Sequence, residues 1–547
     1  MFSKNSIVNF DKFNNLVDEL GDLLYTNAIT LDSRKVTAGS IFCAYPGSNS
    51  DGRLYIQQAI DNGAQLILWE SDENNCGAKD YAVKNYAVKN YLLKNDVTKN
   101  YVVKNYSVKN LMLYVGLLAA AKYGYPTRKF KTIGVTGTNG KTSITHWLNQ
   151  VYKLTGKTTG IIGTMGAGVY PDITDYQSTT PNPITLQAIL ADMAKNVVDM
   201  AALEVSSHAL HQGRVNGISF TTAIFTNLTQ DHLDYHKDME NYYLAKRELF
   251  FWHGLENAII NVDDEYGKRL AGQLVELQNT PVHSDAEQTQ NNVQDYNNKY
   301  NTDKDIPLNV LTYGLDHGEL TANDIKITLG GTFFILKFKD EAIECTVPVI
   351  GKFNVYNLLA VAGALLVDGY KLPEIAKLLA QLSPVCGRME TLIFADKPLV
   401  AVDYSHTPDS LKNALLTLKE IEHTGKLYCV FGCGGNRDKL KRPIMGKIAT
   451  QIADYTVITS DNPRYEGPGE IIAQVVAGIE SDNTSCDEHN KYEVIALREE
   501  AISHVLKLAK AGDIVLIAGK GHETYQEIQG VKYAFSDVAI AENILLS

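Results

Sequence analysis

The chain has 547 residues, of which 45% are hydrophobic, and its formal net charge at pH 7 is −12. Because domains run to roughly 100 to 200 residues, a chain of this length exceeds what one core holds, and we expect three domains. The acidic balance argues against a nucleic-acid-binding surface. Seven scattered cysteines without a C-x-x-C pair indicate reduced thiols, and the sequence contains no signal peptide or long apolar run. We therefore expect a cytoplasmic protein that binds neither nucleic acid nor membrane.

The N-terminal part, residues 1–125, alternates short helix-like and strand-like runs and is predicted to be a small α/β domain. Within it, residues 81–110 repeat the pentapeptide Tyr-x-x-Lys-Asn six times, with Asp96 replacing tyrosine once. A period of five matches neither the 3.6-residue turn of a helix nor the alternation of a strand. Six copies make only about one and a half turns of a pentapeptide solenoid, below the roughly three repeats that such architectures need. The tract is therefore predicted to be a surface insertion without catalytic importance.

The second domain, residues 126–382, begins with a phosphate-binding loop. A strand-like run at 131–135 precedes T-G-T-N-G-K-T at 136–142, and a helix-like run follows at 143–154. Glycines let successive backbone N–H groups point inward, a lysine neutralises the outer phosphates, and a threonine hydroxyl reaches Mg²⁺. The general pattern has glycine where this chain has Val135, so the loop is a variant. The ATP-binding residues predicted from this loop are Gly137, Thr138, Asn139, Gly140, Lys141 and Thr142.

Two more polar runs follow buried strands in this domain. Glu204 comes directly after the strand-like Met200–Leu203, and the run 226–236, which contains His232, comes after a strand at 221–225. In an open parallel sheet, ligands bind beyond the carboxyl ends of the strands, so these side chains should meet the phosphate loop. The pattern predicts a metal-phosphate site at one edge of a mostly parallel sheet.

Lys246 is unusual because its neighbours on the predicted helix 239–252, Tyr242, Tyr243, Leu249 and Phe250, form an apolar face. One interpretation is that the lysine stem packs against this face while the ammonium reaches water. The other is a desolvated amine with a lowered pKa that is available for covalent chemistry. The residues alone do not decide between the two.

The rest of the second domain contains a polar insertion at 278–305, antiparallel strands at 325–339 and 345–349, and a helix at 357–367. The third domain, residues 383–547, repeats the alternation, with strands predicted at 399–402, 427–431, 455–459, 494–496 and 514–517. This pattern predicts a second doubly wound, Rossmann-like sheet. The run Gly432–Asp438 is not a dinucleotide fingerprint, because Arg437 stands where the third glycine belongs.

Six motifs together resemble those of the Mur ligases, the ATP-dependent amide-forming enzymes of peptidoglycan precursor synthesis. They are T-G-T-N-G-K-T (136–142), E-V-S-S-H (204–208), T-N-L-T-Q-D-H-L-D-Y-H (226–236), G-K-F-N-V-Y-N (351–357), G-R-M-E (387–390) and D-Y-S-H-T-P-D (403–409). The resemblance spans the chain in order and leaves out only the pentapeptide tract and the 278–305 insertion. It implies an α/β protein of three domains: an N-terminal UDP-binding domain, a central P-loop ATPase-like parallel-sheet domain, and a Rossmann-like C-terminal domain.

Within this family, D-S-R at 32–34, D-G-R at 51–53, T-T-P at 179–181 and D-N-P-R at 461–464 are similar to the group that adds the third amino acid. That similarity implies an amide bond between the D-glutamate carboxylate of UDP-N-acetylmuramoyl-L-Ala-D-Glu and meso-diaminopimelate, formed through an acyl phosphate. The partners are then small-molecule substrates, and we expect a monomer. Alternatives are the same reaction with L-lysine, a folylpolyglutamate synthase-like ligase, and a P-loop ATPase that drives a partner's conformational change.

The resemblance also implies a role for each matching position. Metal ligands are Thr142, Glu204, His232 and Lys246, the last as a carbamate formed with CO2, and the catalytic set is Lys141, Lys246, His232 and Glu204. ATP is contacted in addition by Asn354, Asn357, Arg388 and Asp403, with His406 in support. The UDP-muramoyl dipeptide is bound by Leu31, Ser33, Ser48, Thr179, Thr180, Ser206 and Arg214, and diaminopimelate by Arg437, Asp461, Asn462, Arg464, Gly519 and Glu523. The implied cofactors are ATP, Mg²⁺ and CO2.

Overall fold

A computed structural model describes residues 9–47, 50–71, 103–176, 178–279, 308–328, 330–421, 424–480 and 492–546. Ser48 lies outside these ranges, and so do residues 81–102 of the pentapeptide tract and most of the 278–305 insertion. Three main sheets follow one another along the chain, in agreement with the predicted three-domain α/β architecture.

The N-terminal sheet has four parallel strands in the order β1-β2-β3-β4. The strands are β1 Ile29–Thr30, β2 Ile41–Ala44, β3 Leu66–Glu70 and β4 Lys104–Val108. The helices are Phe10–Leu20, Asp22–Thr26, Ile56–Asp61 and the apolar Leu111–Lys122, with short 3-10 turns at Ser33–Lys35 and Gly52–Tyr55.

The prediction that the whole pentapeptide tract is a surface insertion is wrong at its end, because β4 lies within it. Tyr106 and Val108 are two residues apart, so both face the core cluster that contains Leu111 and Leu118. One pentapeptide thus supplies the alternating side chains that a strand needs, although the five-residue period of the tract does not maintain that alternation. Both carboxylate oxygens of Glu70 accept backbone N–H groups at the start of the next helix, from Asn110 and Leu111, each at 2.6 Å. The last repeat is part of the N-terminal fold.

The central sheet has ten strands in the order β14-β13-β12-β11-β10-β9-β5-β8-β6-β7. In chain order they are β5 Lys131–Thr136, β6 Thr159–Gly163, β7 Gly166–Val169, β8 Met200–Glu204, β9 Thr222–Phe225, β10 Asn257–Asn261, β11 Asn309–Gly314, β12 Leu320–Thr328, β13 Gly331–Phe338 and β14 Glu341–Val347. Its middle is parallel, and β7, β13 and β14 are antiparallel to their neighbours.

The helices of this domain are Lys141–Leu154, Pro183–Lys195, Ser207–His211, Leu233–His236, Met239–Arg247, Glu265–Asn279, Lys352–Val367 and Leu372–Leu379. Two predicted elements are corrected. The run 325–339 is not one strand, because β12 and β13 fold back on each other there. The helix expected over 239–252 ends at Arg247 and continues as a 3-10 turn, Glu248–Phe251.

The C-terminal sheet has the order β15-β16-β20-β17-β18-β19 and is parallel except for β15. Its strands are β15 Glu390–Leu392, β16 Leu399–Asp403, β17 Leu427–Phe431, β18 Tyr455–Ile458, β19 Tyr492–Val494 and β20 Ile514–Ala518. The helices are Pro408–Glu420, Lys441–Ile452, Pro468–Glu480, Arg498–Leu508 and Asp537–Leu546, and the hairpin β21 Tyr525–Ile528 and β22 Val531–Ala534 lies beside the sheet. The strand expected at 494–496 begins and ends two residues earlier, as β19.

Sheet geometry brings the polar runs together. The carboxyl ends of β5, β8 and β9 carry the phosphate loop, Glu204 and the run 226–236, while those of β16, β18 and β20 carry Asp403, Asp461 and Gly519. These two edges face each other across one cavity. In the part of the chain that the structure describes, no helix has the length and apolarity needed to span a bilayer.

Candidate active site

One cavity of about 720 Å³ lies between the central and C-terminal domains. The predicted residues that line it come from both. They are Thr138, Asn139, Gly140, Lys141, Thr142, Thr179, Glu204, Ser206, His232, Lys246, Asn357, Arg388, Asp403, Arg437, Asp461, Asn462, Arg464, Gly519 and Glu523. The phosphate loop and the D-N-P-R run, more than 300 residues apart in sequence, thus open into the same space.

Glycine is required at two positions of the phosphate loop. Gly137 has φ +150°, and a Cβ there would lie 1.8 Å from the Thr226 hydroxyl. Gly140 has φ +87°, and its Cβ would lie 2.3 Å from the Asn357 side-chain oxygen. Neighbouring polar side chains therefore pack directly onto the loop backbone, which larger residues would push away.

Two lysines lie at this loop. The Lys141 ammonium donates to the carbonyls of Gly137 at 2.9 Å and Thr138 at 2.8 Å, and the Lys246 ammonium donates to the same Gly137 carbonyl at 2.7 Å. Lys246 is 1% exposed, and Tyr242 covers it with its ring centre 4.7 Å from Nζ. Burial, followed by repulsion from Lys141, lowers the pKa of Lys246 well below its ordinary value. Of the two interpretations of Lys246, the structure therefore shows the desolvated amine.

Glu204 is buried at the end of β8, where Thr164 holds both of its carboxylate oxygens. The Thr164 N–H donates to one oxygen at 2.9 Å, and the hydroxyl donates to the other at 3.1 Å. Gly163 makes room for this carboxylate, because a Cβ there would lie 2.3 Å from it. Thr179 extends the arrangement, with its hydroxyl 3.1 Å from that of Thr164.

Asp231 and His232 are adjacent at the mouth of the central domain. The His232 N–H donates to Asp231 Oδ1 at 2.9 Å, and the imidazole Nε2 lies 3.4 Å from Oδ2. Partial burial lowers the pKa of His232 although Asp231 opposes the shift, which favours the neutral imidazole that can bind a metal. His208 packs edge-on against it at 4.9 Å between ring centres, and burial lowers the pKa of His208 to about 4.

Direct hydrogen bonds join the C-terminal domain to the phosphate loop. Arg388 Nη2 donates to the Thr142 hydroxyl at 2.9 Å, and the Asn139 amide donates to Asp409 at 2.9 Å. Asp403 is buried behind Arg388, where it accepts the Met389 N–H at 2.7 Å and a hydroxyl from Ser405, and burial raises its pKa. These contacts describe two domains closed around a phosphate site.

The residues expected near adenine are arranged in series. The Asn354 amide donates to the Ile350 carbonyl at 2.8 Å and does not line the cavity. Its oxygen accepts from the Asn357 amide at 3.1 Å, and Asn357 does line the cavity. Asn354 therefore orients Asn357.

The predicted amino-acid site is a network of charged groups beyond β18 and β20. Glu523 accepts from Asn462 Nδ2 at 2.7 Å and from the buried Lys520 ammonium at 2.8 Å. Arg464 pairs with Glu527 of β21 at 3.3 Å. At Gly519 φ is +117°, and a Cβ would lie 2.6 Å from the Asp461 carboxylate. Both signs of charge needed for an amino acid are present, the carboxylates of Asp461 and Glu523 and the guanidinium of Arg464.

Buried ion pairs support this network. Arg442, fully buried, donates to both oxygens of Glu466 at 2.9 and 3.0 Å and to the Gly434 carbonyl at 3.0 Å. Arg498 and Asp537, both fully buried, pair at 2.7 Å beneath the ends of β18 and β20. These two buried ion pairs therefore anchor the loops of the predicted amino-acid site.

The residues expected to bind the UDP-muramoyl dipeptide are only partly brought together. Thr179 and Ser206 line the main cavity, whereas Leu31, Ser33, Thr180 and Arg214 do not. Thr180 donates to the Glu204 carbonyl at 2.8 Å, Arg214 donates to the Thr180 carbonyl at 3.0 Å, and Ser33 donates to Gln58 at 2.7 Å. A second cavity of about 930 Å³ between the N-terminal and central domains is lined by Tyr45, Glu70, Arg128, His211 and Trp252 among others, and not by Leu31 or Ser33.

Some residues that line the cavity were missed in the sequence. Asp263 and Asp264 come from an element that we did not associate with the site, whereas Tyr356 lies in the 351–357 motif between the predicted Asn354 and Asn357. Lys441 was also missed, although its position gives a signal: it stands in the first turn of the helix Lys441–Ile452, where a cation opposes the helix dipole. The position of Lys441 therefore has to be explained by something other than the stability of its helix.

The donor set fits Mg²⁺. Glu204 supplies a buried carboxylate, Thr142 a hydroxyl and His232 a neutral imidazole, all on one cavity. No group of three or more His, Cys, Asp or Glu side chains gathers around one point among the residues with described coordinates. In proteins Mg²⁺ keeps several waters and binds through one or two carboxylates plus substrate phosphates.

Comparison with known proteins gives a consistent result. Three family models match: the Mur ligase family, catalytic domain, at residues 26–123; the Mur ligase middle domain at 135–306 and 290–365; and the Mur ligase, glutamate ligase domain, at 387–521. The UDP-N-acetylmuramoyl-L-alanyl-D-glutamate–2,6-diaminopimelate ligases of Chromobacterium violaceum and Neisseria meningitidis serogroup B are 40% and 42% identical to this chain. The first match covers 97% of this chain and 96% of the relative, and the second covers 94% of each.

A solved structure with the same title aligns at a TM-score of 0.61 with 32% identity, over 95% of this chain and 94% of that one. The three-domain fold, the closed phosphate site and these matches lead to one conclusion. The chain belongs to the Mur ligase family.

Proposed function

We propose that the protein joins the D-glutamate carboxylate of UDP-N-acetylmuramoyl-L-Ala-D-Glu to an amino group of meso-diaminopimelate at the expense of ATP. The observation that carries the proposal is the single cavity that holds the phosphate loop on one wall and Asn462, Arg464 and Glu523 on the other. The named relatives act on these substrates by their printed titles. ADP and phosphate are the by-products.

The chemistry follows from charge. The glutamate carboxylate attacks the γ-phosphorus of ATP, the bond to the β-phosphate oxygen breaks, and an acyl phosphate and ADP result. The incoming amine then attacks the acyl carbon, phosphate leaves with the bonding electron pair, and the amide nitrogen loses a proton. Two anions meet in the first step, and the cationic groups of Lys141 and Arg388 at the phosphate loop offset their repulsion. The closed cavity keeps water from the acyl phosphate.

For the metal, we assign Thr142, Glu204, His232 and Lys246 as the residues that hold Mg²⁺ near the phosphates. Bound there, the ion neutralises charge on the phosphate oxygens. Lys246 contributes as a carbamate: its neutral amine adds to CO2 through a new N–C bond and loses a proton. The buried position and lowered pKa of Lys246 support this assignment, because the neutral amine is the reactive form.

Specificity for diaminopimelate is assigned to the C-terminal domain. Diaminopimelate differs from lysine by a distal carboxylate, which a guanidinium binds in two-point fashion. We assign Arg464 and Arg437 to carboxylates and Asp461, Glu523 and the Gly519 carbonyl to an amine, with Asn462 between them. In the structure Arg464 is paired with Glu527, so the amino acid has to replace or share that partner. If Arg464 binds the distal carboxylate, the alternative acceptor L-lysine lacks the group that competes with Glu527.

The remaining assignments complete the proposal. The UDP-muramoyl dipeptide lies along Leu31, Ser33, Ser48, Thr179, Thr180, Ser206 and Arg214, and adenine lies by Asn357. The domains run over 1–125, 126–382 and 383–547. The protein acts as a monomer in the cytoplasm, where ATP is available. A folylpolyglutamate synthase-like reaction is less favoured, because it gives the N-terminal domain no substrate to bind.

The test is an amino-acid panel. ADP release is measured with ATP, UDP-muramoyl dipeptide and, in turn, diaminopimelate, L-lysine, L-glutamate and no amino acid. The proposal expects rapid ADP release in the assay that contains diaminopimelate and slow release in the other three. Equal ADP release with L-lysine would contradict the proposed specificity for diaminopimelate. ADP release that needs neither an amino acid nor the UDP-substrate would favour an ATPase that drives a partner's conformational change.

A further inference from the structure

Lys441 is a largely buried lysine in the wall of the main cavity. It stands in the first turn of the helix Lys441–Ile452 and is only 5% exposed, yet its side chain lines the main cavity. Within the ranges that the structure describes, its ammonium makes no hydrogen bond and no ion pair. A lysine whose stem is buried and whose ammonium reaches a cavity is placed to bind an anion that enters that cavity.

The charged groups near Lys441 indicate where such an anion lies. Asp231 feels the charges of Lys141 from the phosphate loop and of Lys441 from the opposite domain. His406, also in the cavity, feels Lys441 as well. Lys441 therefore faces the same central space as the loop lysine, from the side of the amino-acid site. The first turn of its helix, where Asp438 accepts the Leu440 N–H at 2.8 Å, adds partial positive charge at the same place.

We propose that Lys441 binds the phosphoryl group in transit, first as the terminal phosphate of ATP and then as the acyl phosphate. The inference rests on the proposed function, because it needs an acyl phosphate. The lysine lies on the domain that carries the amino-acid site, so domain closure brings it to the phosphate together with the amine.

Its contribution is greatest in the second step. The amine forms a bond to the acyl carbon, and the carbon–oxygen bond to phosphate breaks with its electron pair staying on the phosphate oxygen. The proton that the nitrogen loses passes to the departing phosphate. Lys441 stabilises the negative charge that gathers on this oxygen, as a compact point charge suited to phosphate.

The variants to compare are Lys441→Met, which keeps the length of the stem and removes the charge, and Lys439→Met. Lys439 is a matched control two residues away: its side chain is 62% exposed, it pairs with Glu466 at 3.4 Å, and it does not line the cavity. We expect Lys441→Met to lower kcat by about 100-fold or more, the effect of removing one charged donor at a reacting oxygen. Lys439→Met should stay within about twofold of wild type.

A second readout does not depend on turnover. ADP and the non-hydrolysable β,γ-imido analogue of ATP are each titrated while the melting temperature is followed. The ADP shift should be the same in all proteins, and the additional shift from the terminal phosphate should be lost only in Lys441→Met. Because the free ammonium is unpaired, Lys441→Met should melt no lower than wild type without ligand.

Three results would overturn the inference: a kcat for Lys441→Met within threefold of wild type, an equal terminal-phosphate shift in that variant, or a variant that fails to fold. Failure of the proposed function looks different. In that case wild type itself releases no ADP with diaminopimelate, while the nucleotide titration still decides whether Lys441 contacts the terminal phosphate.

Discussion

Two ammonium groups share one backbone carbonyl at the heart of this molecule. Lys141 and Lys246 both donate to the Gly137 oxygen, and burial lowers the pKa of each lysine. Glu204 and Asp231 supply negative charge nearby, but two cations at one carbonyl still repel each other and any metal ion. A carbamate on Lys246 reverses the sign of one of them, which is why this residue is the first to test.

Lys246→Ala should nearly abolish turnover, because it removes the amine that we propose accepts CO2. Short carboxylates added to the assay should restore part of the activity by taking the place of the carbamate. The measurement is kcat with and without such a carboxylate. Lys268→Ala, an exposed lysine on the helix Glu265–Asn279, is the control and should behave like wild type. Full activity of Lys246→Ala would remove the carbamate from the mechanism.

Arg464→Ala should cost about 2 to 5 kcal/mol in kcat/KM for diaminopimelate, as expected when one partner of a buried charge pair is truncated. ATP affinity should not change, because the guanidinium lies beyond β18, away from the phosphate loop. If Arg464 binds the distal carboxylate, discrimination against L-lysine narrows; if it binds the shared carboxylate, both amino acids lose equally. An unchanged kcat/KM for diaminopimelate would exclude Arg464 from the site.

At the scale of elements, a buried ion pair holds the loop that follows β18. Glu466 lies two residues after Arg464 and receives both guanidinium donors of the buried Arg442, which hold its pKa at about 2, below the ordinary 4.5. A depressed pKa of this kind contributes stability that is present above about pH 4.5 and is lost as the pH falls toward 2.

Glu466→Gln should therefore lower the stability of the C-terminal domain at neutral pH by about 3 kcal/mol, because it leaves the Arg442 charge buried and uncompensated. The gap in melting temperature between variant and wild type should shrink as the pH is lowered from about 5 to about 3. Glu470→Gln, an exposed residue of the next helix, serves as the control. A gap that does not depend on pH would contradict this account.

Gly163→Ala tests the end of β6. The new methyl group would lie 2.3 Å from the Glu204 carboxylate, so Glu204 must move away from Thr164. We expect a higher Mg²⁺ concentration at half-maximal activity. Gly272→Ala meets nothing within 4 Å and should stabilise its helix by about 0.5 to 1 kcal/mol without altering the Mg²⁺ response. An unaltered response in Gly163→Ala would argue against Glu204 as a ligand.

The sequence predicted elements best where periodicity and position agree. β5, β8, β9 and β17 appear close to their expected limits because buried parallel strands are continuous apolar runs between turns. The end of the pentapeptide tract was misjudged, since one strand of five residues needs only local alternation plus a free sheet edge beside β3. Glu466 and Glu527 could not be placed from sequence, because their partners Arg442 and Arg464 are brought to them by tertiary structure. For Lys441, the sequence does not show which parts of the other domain it faces.

For the whole molecule, residues of one chain bring the phosphate loop and the D-N-P-R run to the same cavity. We propose a monomer, and we expect sedimentation equilibrium to give the mass of a single chain with and without substrates. A dimer that dissociates on dilution together with a loss of kcat would contradict this expectation.

The hydrogen bond between Arg388 and the Thr142 hydroxyl joins residues 246 positions apart in the sequence. Thr142 belongs to the phosphate loop, and its hydroxyl is one that we assign to the metal, whereas Arg388 belongs to the C-terminal domain. The orientation of that domain and the placement of the hydroxyl are therefore linked through one guanidinium. A substitution of Arg388 should change the Mg²⁺ dependence of the reaction together with the affinity for nucleotide.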